Sequence, residues 1–243
     1  MDFIALDIET ANSDLASICS VGLVHFRNGE PFKTFSFLVD PEDSFDFMNI
    51  SIHGIEPDDV AGKSTMREIF PMISSTLSSF VIAHHTAFDR VAFARAAAKY
   101  GFPELQFNWL DTARVARRAW ERFAYGGYGL ENLAREFDID FRHHEAAEDA
   151  RAAGLILLQA MAETGLTIEE WFERAIAASG ETNHTRHRRQ SGWAAGGRCD
   201  RFHRCPPNPA NRSRPPRPGS WLRRSQQRDQ CNHNPGDRRS GRS

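Results

Sequence analysis

Phe3-Ile-Ala-Leu-Asp7-Ile-Glu9-Thr-Ala-Asn12 is the stretch that decides the fold of this chain. Its nearly unbroken apolar run, residues 3–6, predicts a strand buried on both faces, as at the centre of a mixed or parallel sheet. Asp7 and Glu9 follow, and because strand side chains alternate, the two carboxylates project from the same face. Neighbouring negative charges repel each other unless a cation lies between them. The stretch therefore predicts a divalent metal site at the rim of a hydrophobic sheet.

Apolar patterns predict four more strands and several helices along the chain. Residues 18–26 and 32–39, joined by an Asn-Gly turn, predict a hairpin after the first strand. Short apolar runs at 80–83 and 107–110 predict the fourth and fifth strands, and residues 40–65 are expected to be loop-rich. Helical spacing predicts helices at 66–77, 88–100, 112–123, 130–137, 145–163 and 168–178. The order predicts an α/β domain with a five-stranded mixed sheet flanked by helices.

The charge balance of the chain changes near residue 180. Residues 1–180 carry 15 Lys and Arg against 28 Asp and Glu, whereas residues 181–243 carry 15 against 4. In this basic segment Leu222 is the only Leu, Ile, Val or Met, which is too little to build a core. We therefore expect a folded domain over residues 1–178 and a low-complexity, disordered basic tail over residues 179–243.

Several sequence features indicate a cytoplasmic protein. No apolar run approaches the roughly 20 residues of a membrane span, so no membrane association is expected. The N-terminus lacks the basic and long apolar regions of a signal peptide. Of the four cysteines, only Cys19 lies in the apolar part of the chain, so no disulfide framework is implied.

Three further residues are placed where a site at the sheet rim could collect them. Asp89 opens the helix after the fourth strand, Asp149 lies in the first turns of the long helix, and His144 precedes that helix. Singly, each acid could be a helix N-terminal residue favoured by the dipole. Together with Asp7 and Glu9 they form a set of hard oxygen ligands, which suits Mg²⁺ or Mn²⁺ better than zinc. We predict that the four carboxylates and His144 form one site.

The motifs that carry these residues resemble those of a known family. Asp7-Ile8-Glu9-Thr10, Phe88-Asp89 and His144-x-Ala-x-x-Asp149 resemble the three motifs of the DnaQ-like DEDDh 3′–5′ exonucleases, typified by the proofreading (epsilon) subunit of bacterial DNA polymerase III. Ile52-His-Gly-Ile55 resembles a stretch that this family carries between its first and second motifs. The resemblance covers about residues 1–165 and implies a ribonuclease-H-like fold.

The resemblance implies the cofactor and the catalytic roles. Two divalent ions, Mg²⁺ or Mn²⁺, would lie among the carboxylates and clamp the attacking and leaving oxygens. Asp7 would bridge both ions, with Glu9 and Asp149 on one and Asp89 on the other. His144 would be the general base, because an imidazole with a pKa of about 6.5 can accept a proton from the attacking water.

The resemblance also implies substrate contacts. The candidate residues are Ile8, Thr10, His53 and Phe88, with the region of Thr10 holding the terminal 3′-hydroxyl. A histidine satisfied locally in its loop is an equal alternative for His53. His85 departs from the family pattern, since many relatives have Asn there, and this leaves the local substrate contacts open.

Other assignments keep their alternatives. His143 is a second candidate base, although the spacing to Asp149 favours His144. Asp111 is expected to be a helix N-cap rather than a ligand.

A basic helix face carries Arg114, Arg117, Arg118 and Arg122. It either follows the phosphates of a nucleic acid or is simply solvated. Among the aromatic residues beside a glycine-rich segment, Tyr125 and Tyr128 are candidates for stacking a base, whereas core packing is favoured for Phe123.

The sequence thus favours a metal-dependent 3′–5′ exonuclease that releases nucleoside 5′-monophosphates from single-stranded ends in proofreading or repair. DNA is favoured over RNA as the substrate, and a DNA polymerase is a candidate partner. The alternatives are a 3′–5′ exoribonuclease that trims RNA and a non-catalytic nucleic-acid-binding or polymerase-associated module. The complete set of five site residues argues against the module.

Three interpretations of the basic tail remain. It could be an arm that binds nucleic acid, or a zinc site, although the spacing of its Cys and His residues matches no usual pattern. Arg, Pro, Gly, Ser, Cys, His and Trp rise together in it while apolar residues vanish. This composition favours out-of-frame translation, a frameshift product that replaces the BRCT-type domain of some family members.

Overall fold

Five strands form one mixed sheet in the computed structural model, which describes residues 2–104 and 106–176. They are β1 (Asp2–Thr10), β2 (Ile18–Arg27), β3 (Glu30–Leu38), β4 (Val81–His84) and β5 (Asn108–Asp111), arranged in the order β3-β2-β1-β4-β5. The pairs β1–β2 and β2–β3 are antiparallel, whereas β1–β4 and β4–β5 are parallel. The predicted five-stranded mixed sheet is confirmed, and the opening strand is its centre.

Eight α-helices flank the sheet within the described residues. They are α1 (Phe47–His53), α2 (Pro57–Val60), α3 (Met66–Leu77), α4 (Phe88–Lys99), α5 (Thr112–Ala119), α6 (Leu130–Glu136), α7 (Ala146–Thr164) and α8 (Ile168–Ile176). The helix predicted at 112–123 is shorter than expected. It ends because Trp120 has extended backbone, with φ −127°, and a 3-10 turn follows at Glu121–Phe123.

The prediction that residues 40–65 are loop-rich is wrong where α1 and α2 form. Helix α1 buries none of its residues, so it carries no apolar periodicity that a sequence pattern could reveal. Helix α2 is a single turn, held by a capping box in which Glu56 and Asp59 exchange hydrogen bonds with each other's backbone.

Strand β1 is buried on both faces, as its apolar run predicts. Phe3 and Ala5 belong to a core that includes residues of α5, α7 and α8. Ile4, Leu6 and Ile8 belong to a second core that includes residues of α3 and α4. By alternation, Asp7 and Glu9 continue the face of Phe3 and Ala5, which is the face that α7 covers.

Helix α7 packs against β2 at two glycines. A Cβ atom at Gly22 would lie 2.2 Å from the backbone carbon of Ala146, and one at Gly154 would lie 2.2 Å from the ring of Phe26. A side chain at Gly22 would meet backbone and push the helix off the sheet, whereas one at Gly154 would have to displace the buried ring of Phe26. The two glycines therefore let α7 lie directly on the strand beside β1.

Some sequence predictions fall on residues 177–243. The domain boundary at 178, the disordered tail, the zinc alternative and the frameshift hypothesis all lie outside the described residues. In the part of the chain that the structure describes, no helix is both long enough and apolar enough to cross a bilayer.

Candidate active site

Three of the predicted carboxylates meet where β1 ends. One ligand atom from each of Asp7, Glu9 and Asp149 lies within 4.8 Å of those of the other two. Asp7 and Glu9 come from β1, and Asp149 comes from the first turn of α7. The close packing of α7 on β2 thus brings a residue from late in the chain to the strand that opens it.

The fourth carboxylate, Asp89, is anchored to the same strand. It lies in the first turn of α4 with 1% of its surface exposed, and its Oδ1 accepts a hydrogen bond from the backbone N–H of Ile8 at 3.0 Å. Ile8 stands between the two carboxylates of β1. Asp89 is close enough to Asp7 for its negative charge to raise the pKa of Asp7.

Burial raises the pKa of all four carboxyl groups, and neighbouring carboxylates add to this for Asp7, Glu9 and Asp89. Burial, together with Asp89, Asp149 and Glu9, raises the pKa of Asp7 well above its usual range. Burial and Asp149 raise the pKa of Glu9 to about 8. Burial also raises the pKa of Asp89, although the hydrogen bond from Ile8 lowers it. Burial likewise raises the pKa of Asp149, although His143 lowers it. Carboxylates held together at this cost form a donor set that fits a hard divalent cation such as Mg²⁺ or Mn²⁺.

His144 lies at the entrance to this cluster. Its backbone is left-handed, with φ +67°, and its N–H donates to Oδ2 of Asp149 at 3.1 Å. This conformation places Nδ1 of His144 3.9 Å from Oε1 of Glu9, with 41% of the side chain exposed. Burial and the neighbouring His143 lower the pKa of His144, so the imidazole is neutral at neutral pH and can accept a proton.

His143, the alternative base, is tied to a carboxylate instead. Its Nδ1 lies 3.0 Å from Oδ2 and 3.1 Å from Oδ1 of Asp149, and its ring stacks on that of His144 with centroids 3.8 Å apart. A histidine that bonds a potential metal ligand orients that ligand. The geometry therefore gives the two histidines different surroundings, His143 against Asp149 and His144 towards Glu9.

The predicted substrate residue Thr10 is buried, with 2% of its surface exposed. Its hydroxyl donates to the carbonyl of Asn12, and its own carbonyl accepts from Nδ2 of Asn49 at 2.8 Å and from Nε2 of His53 at 3.2 Å. Nδ1 of His53 accepts from the N–H of Ile55 at 3.0 Å, so the ring proton is on Nε2. Both nitrogens of His53 are thus used inside the protein, which favours the locally satisfied alternative.

The other two predicted substrate residues differ in access. Ile8 packs in the core of α3 and α4, so its side chain faces away from the carboxylates. Phe88, at the start of α4 and 38% exposed, presents its ring at the surface. Of the two, only Phe88 offers a side chain to a bound strand.

Two residues that support the site carry little or no sequence signal. Asn49 donates to Thr10 from α1, a helix that the apolar pattern does not reveal. Gly22 lies opposite Asp7 in the β1–β2 register. A glycine inside an apolar strand indicates a close approach of backbone, and this is the signal that could have singled it out.

The basic face of α5 is used largely for contacts within the protein. On α5, Arg114 donates to the carbonyl of Ala175 at 3.2 Å and Arg117 to that of Ala124 at 3.1 Å. Arg122, predicted on the same face, lies beyond α5 in the 3-10 turn and forms an ion pair with Glu136 at 3.1 Å. These contacts favour neither a helix face that is free to bind the phosphates of a nucleic acid nor a purely solvated face.

Two predictions for neighbouring residues are confirmed. Asp111 caps α5 by accepting hydrogen bonds from the N–H groups of Ala113 and Arg114, and Phe123 is buried in the core.

Comparisons with known proteins agree with this geometry. A family model described as Exonuclease (RNase_T) matches residues 4–157. Exodeoxyribonuclease 10 of Escherichia coli K12 is 26% identical over 168 residues, which cover 68% of this chain and 71% of that protein. A PolC-type DNA polymerase III of Thermotoga petrophila is 24% identical over 68% of this chain, but the match covers only 12% of the polymerase.

Among solved structures, exonuclease X in complex with 5′ overhanging duplex DNA has the same fold. It superposes with a TM-score of 0.58 at 22% identity, covering 71% of this chain and 99% of that one. The ribonuclease-H-like fold implied by the sequence motifs is thereby confirmed.

Proposed function

The chain belongs to the RNase_T exonuclease family, and on that premise we propose that it is a metal-dependent 3′–5′ exonuclease acting on single-stranded DNA ends. The observation that supports this most directly is the cluster of Asp7, Glu9 and Asp149 at the end of the central strand, with Asp89 anchored beside it. The resemblance to DnaQ-like DEDDh exonucleases assigns the same four carboxylates.

The residues present fit a pair of Mg²⁺ or Mn²⁺ ions. Asp7, Glu9, Asp89 and Asp149 would hold them, since carboxylate oxygens are the ligands that these ions prefer. When bound, the ions would neutralise charge on the phosphodiester and activate the attacking water.

His144 would act as the general base. Its lowered pKa keeps the imidazole able to take the proton of the attacking water, and the hydrogen bond from its N–H to Asp149 fixes its position beside Glu9. The water oxygen would bond to phosphorus while the bond from phosphorus to the 3′ oxygen of the preceding nucleotide breaks, and that oxygen would take up a proton from solvent to become the new 3′-hydroxyl. The products are a nucleoside 5′-monophosphate and a strand shortened by one residue.

The charge of residues 1–180 supports a short, end-bound substrate over a long bound duplex. These residues carry a strong acidic excess, so their nonspecific attraction for phosphates is weak. Affinity would then come from the metal site and from contacts to unpaired bases.

We propose that the protein acts in the cytoplasm, in proofreading or repair, with a DNA polymerase as a candidate partner.

The test is digestion of 5′-labelled single-stranded DNA and of RNA of the same sequence, in Mg²⁺ or Mn²⁺ and in EDTA. Wild-type protein should produce a ladder of products shortened from the 3′ end, with faster cleavage of DNA. Asp7→Ala should be inactive, whereas Glu169→Gln, which alters an exposed carboxylate on α8, should match the wild type. Faster cleavage of RNA would make the protein an exoribonuclease, and wild-type protein that cleaves neither strand in either metal would be a non-catalytic module.

A further inference from the structure

The segment Ala124-Tyr-Gly-Gly-Tyr-Gly129, here called the glycine-rich loop, is held at three of its carbonyl groups. Nε of Arg117 on α5 donates to Ala124 at 3.1 Å, and Nδ2 of Asn132 on α6 donates to Gly127 at 2.6 Å. Nε2 of His85, just beyond β4, lies 2.9 Å from the carbonyl oxygen of Tyr128. Three glycines in six residues make a flexible chain, so side chains from three separate elements are needed to fix it.

His85 makes the contact that ties the loop to the sheet. Since a carbonyl only accepts, Nε2 of His85 is the protonated nitrogen that donates to Tyr128, and Nδ1 faces Oγ1 of the buried Thr112 at 2.9 Å. Burial lowers the pKa of His85 to about 4, so the ring is neutral. The single proton of the Thr112 hydroxyl then has two acceptors within reach, Nδ1 of His85 at 2.9 Å and the carbonyl oxygen of His84 at 3.0 Å. One imidazole thus bridges the end of β4, the start of α5 and the glycine-rich loop.

The loop is tied to the end of the sheet where the carboxylates lie. Strands β1 and β4 run parallel with Ala5 opposite Ala83, so His85 follows Ala83 by two residues, as Asp7 follows Ala5 on the neighbouring strand. The two tyrosines of the loop differ in exposure. Tyr128 is half-buried, with the guanidinium of Arg117 5.0 Å from its ring centroid, whereas Tyr125 is 98% exposed.

We propose that the glycine-rich loop is a platform for an unpaired base of the substrate strand, with Tyr125 as the stacking residue and His85 as the residue that positions the loop. Every base has a face that can stack on an aromatic ring, so such a contact adds affinity without sequence preference. A domain with an acidic excess gains little from phosphate contacts, which makes stacking the more useful source of affinity. The proposal rests on the proposed exonuclease function.

The first test compares Tyr125→Ala and Tyr125→Phe with the wild type on a single-stranded DNA oligonucleotide and on the p-nitrophenyl ester of thymidine 5′-monophosphate. Tyr125→Ala should raise KM for the oligonucleotide about 10-fold with kcat unchanged. Tyr125→Phe, which keeps an aromatic ring, should have the KM of the wild type. Both variants should hydrolyse the small ester as the wild type does, because the ester has no further nucleotide whose base could stack on Tyr125.

A second test moves one abasic residue along the oligonucleotide. Wild type should lose affinity when the abasic residue occupies one particular distance from the 3′ end, and Tyr125→Ala should lose that dependence. Equal abasic profiles for the two proteins, or a wild-type KM for Tyr125→Ala, would overturn the platform. Failure of the wild type on both the ester and the oligonucleotide would instead overturn the exonuclease function.

The role of His85 is tested with two amides of different length. The side-chain nitrogen of Gln can occupy the place of Nε2 and donate to Tyr128, whereas that of Asn is too short to reach it. His85→Asn should therefore raise the oligonucleotide KM as Tyr125→Ala does, and His85→Gln should stay near the wild type, with the ester rate unchanged in both. Identical KM values for the two amide variants would show that His85 does not position the loop.

Discussion

A Cβ atom built on Gly22 would lie 2.2 Å from the backbone carbon of Ala146, so β2 and the start of α7 approach each other through main chain alone. Gly22 lies opposite Asp7 in the sheet, and Ala146 is three residues before Asp149. This one contact therefore sets the distance between two of the predicted metal ligands.

Replacing Gly22 by Ala should separate those ligands. The added methyl meets backbone that cannot rotate away, so α7 must shift, and we expect a loss of about 2 kcal/mol or more in the free energy of unfolding. Mn²⁺ affinity should fall with it, as calorimetry would reveal. Gly126→Ala is the matched control, because a Cβ there has nothing within 4 Å. Equal Mn²⁺ affinity in both variants would contradict the role given to Gly22.

Asp7→Asn should abolish activity and yet stabilise the metal-free protein. The buried Asp7 carboxyl is surrounded by Glu9, Asp89 and Asp149, whose charges all disfavour its ionisation. The neutral amide removes that repulsion, so in EDTA at mildly alkaline pH the Tm of the variant should exceed that of the wild type. Addition of Mg²⁺ should raise the Tm of the wild type more than that of the variant. A lower Tm for the variant in EDTA would count against a repulsive cluster.

The stability of the metal-free protein should fall as pH rises from about 7 to 8.5. Glu9 has a pKa of about 8 in the folded protein against 4.5 for the free side chain, so the folded state holds more protons over this interval. His84 and His85, whose pKa burial lowers to about 4 from 6.5, are largely neutral in both states here and add little slope. Urea unfolding in EDTA measures the slope, and Glu9→Gln should flatten it. A slope of zero in the wild type would contradict the raised pKa.

Substitution of the two adjacent histidines by Ala should affect kcat and Mn²⁺ affinity differently. His144→Ala should lower kcat by about 10²–10⁴-fold, as expected on losing a general base, with Mn²⁺ affinity little changed. His143→Ala removes the side-chain donor to Asp149, so about a 10-fold loss of Mn²⁺ affinity is expected. Its kcat should fall less than that of His144→Ala. If His143→Ala proved the variant with the greater loss of kcat, His143 would be the base.

Much of the sheet and the pair Asp7 and Glu9 could be predicted because their signals are local, whereas Asp89 and Asp149 are assigned by the resemblance to a family. The apolar run before Asp7 and the alternation that pairs Asp7 with Glu9 are properties of a few neighbouring residues. The exposed helix α1 and its Asn49, which holds the carbonyl of Thr10, have no such signal. The same is true of His85, since nothing near it in the sequence specifies its contact with Tyr128. Contacts between distant segments are set by packing, which the sequence pattern does not display.

The placement of Asp149 on α7 also has a consequence for biosynthesis. Asp7 leaves the ribosome before Asp149 and the helix that carries it, because α7 follows β1 in the chain. The carboxylate cluster therefore cannot close until α7 has emerged and docked on β2. A nascent chain that stops before α7 would carry the opening strand but would have no complete site with which to degrade the nucleic acids around it.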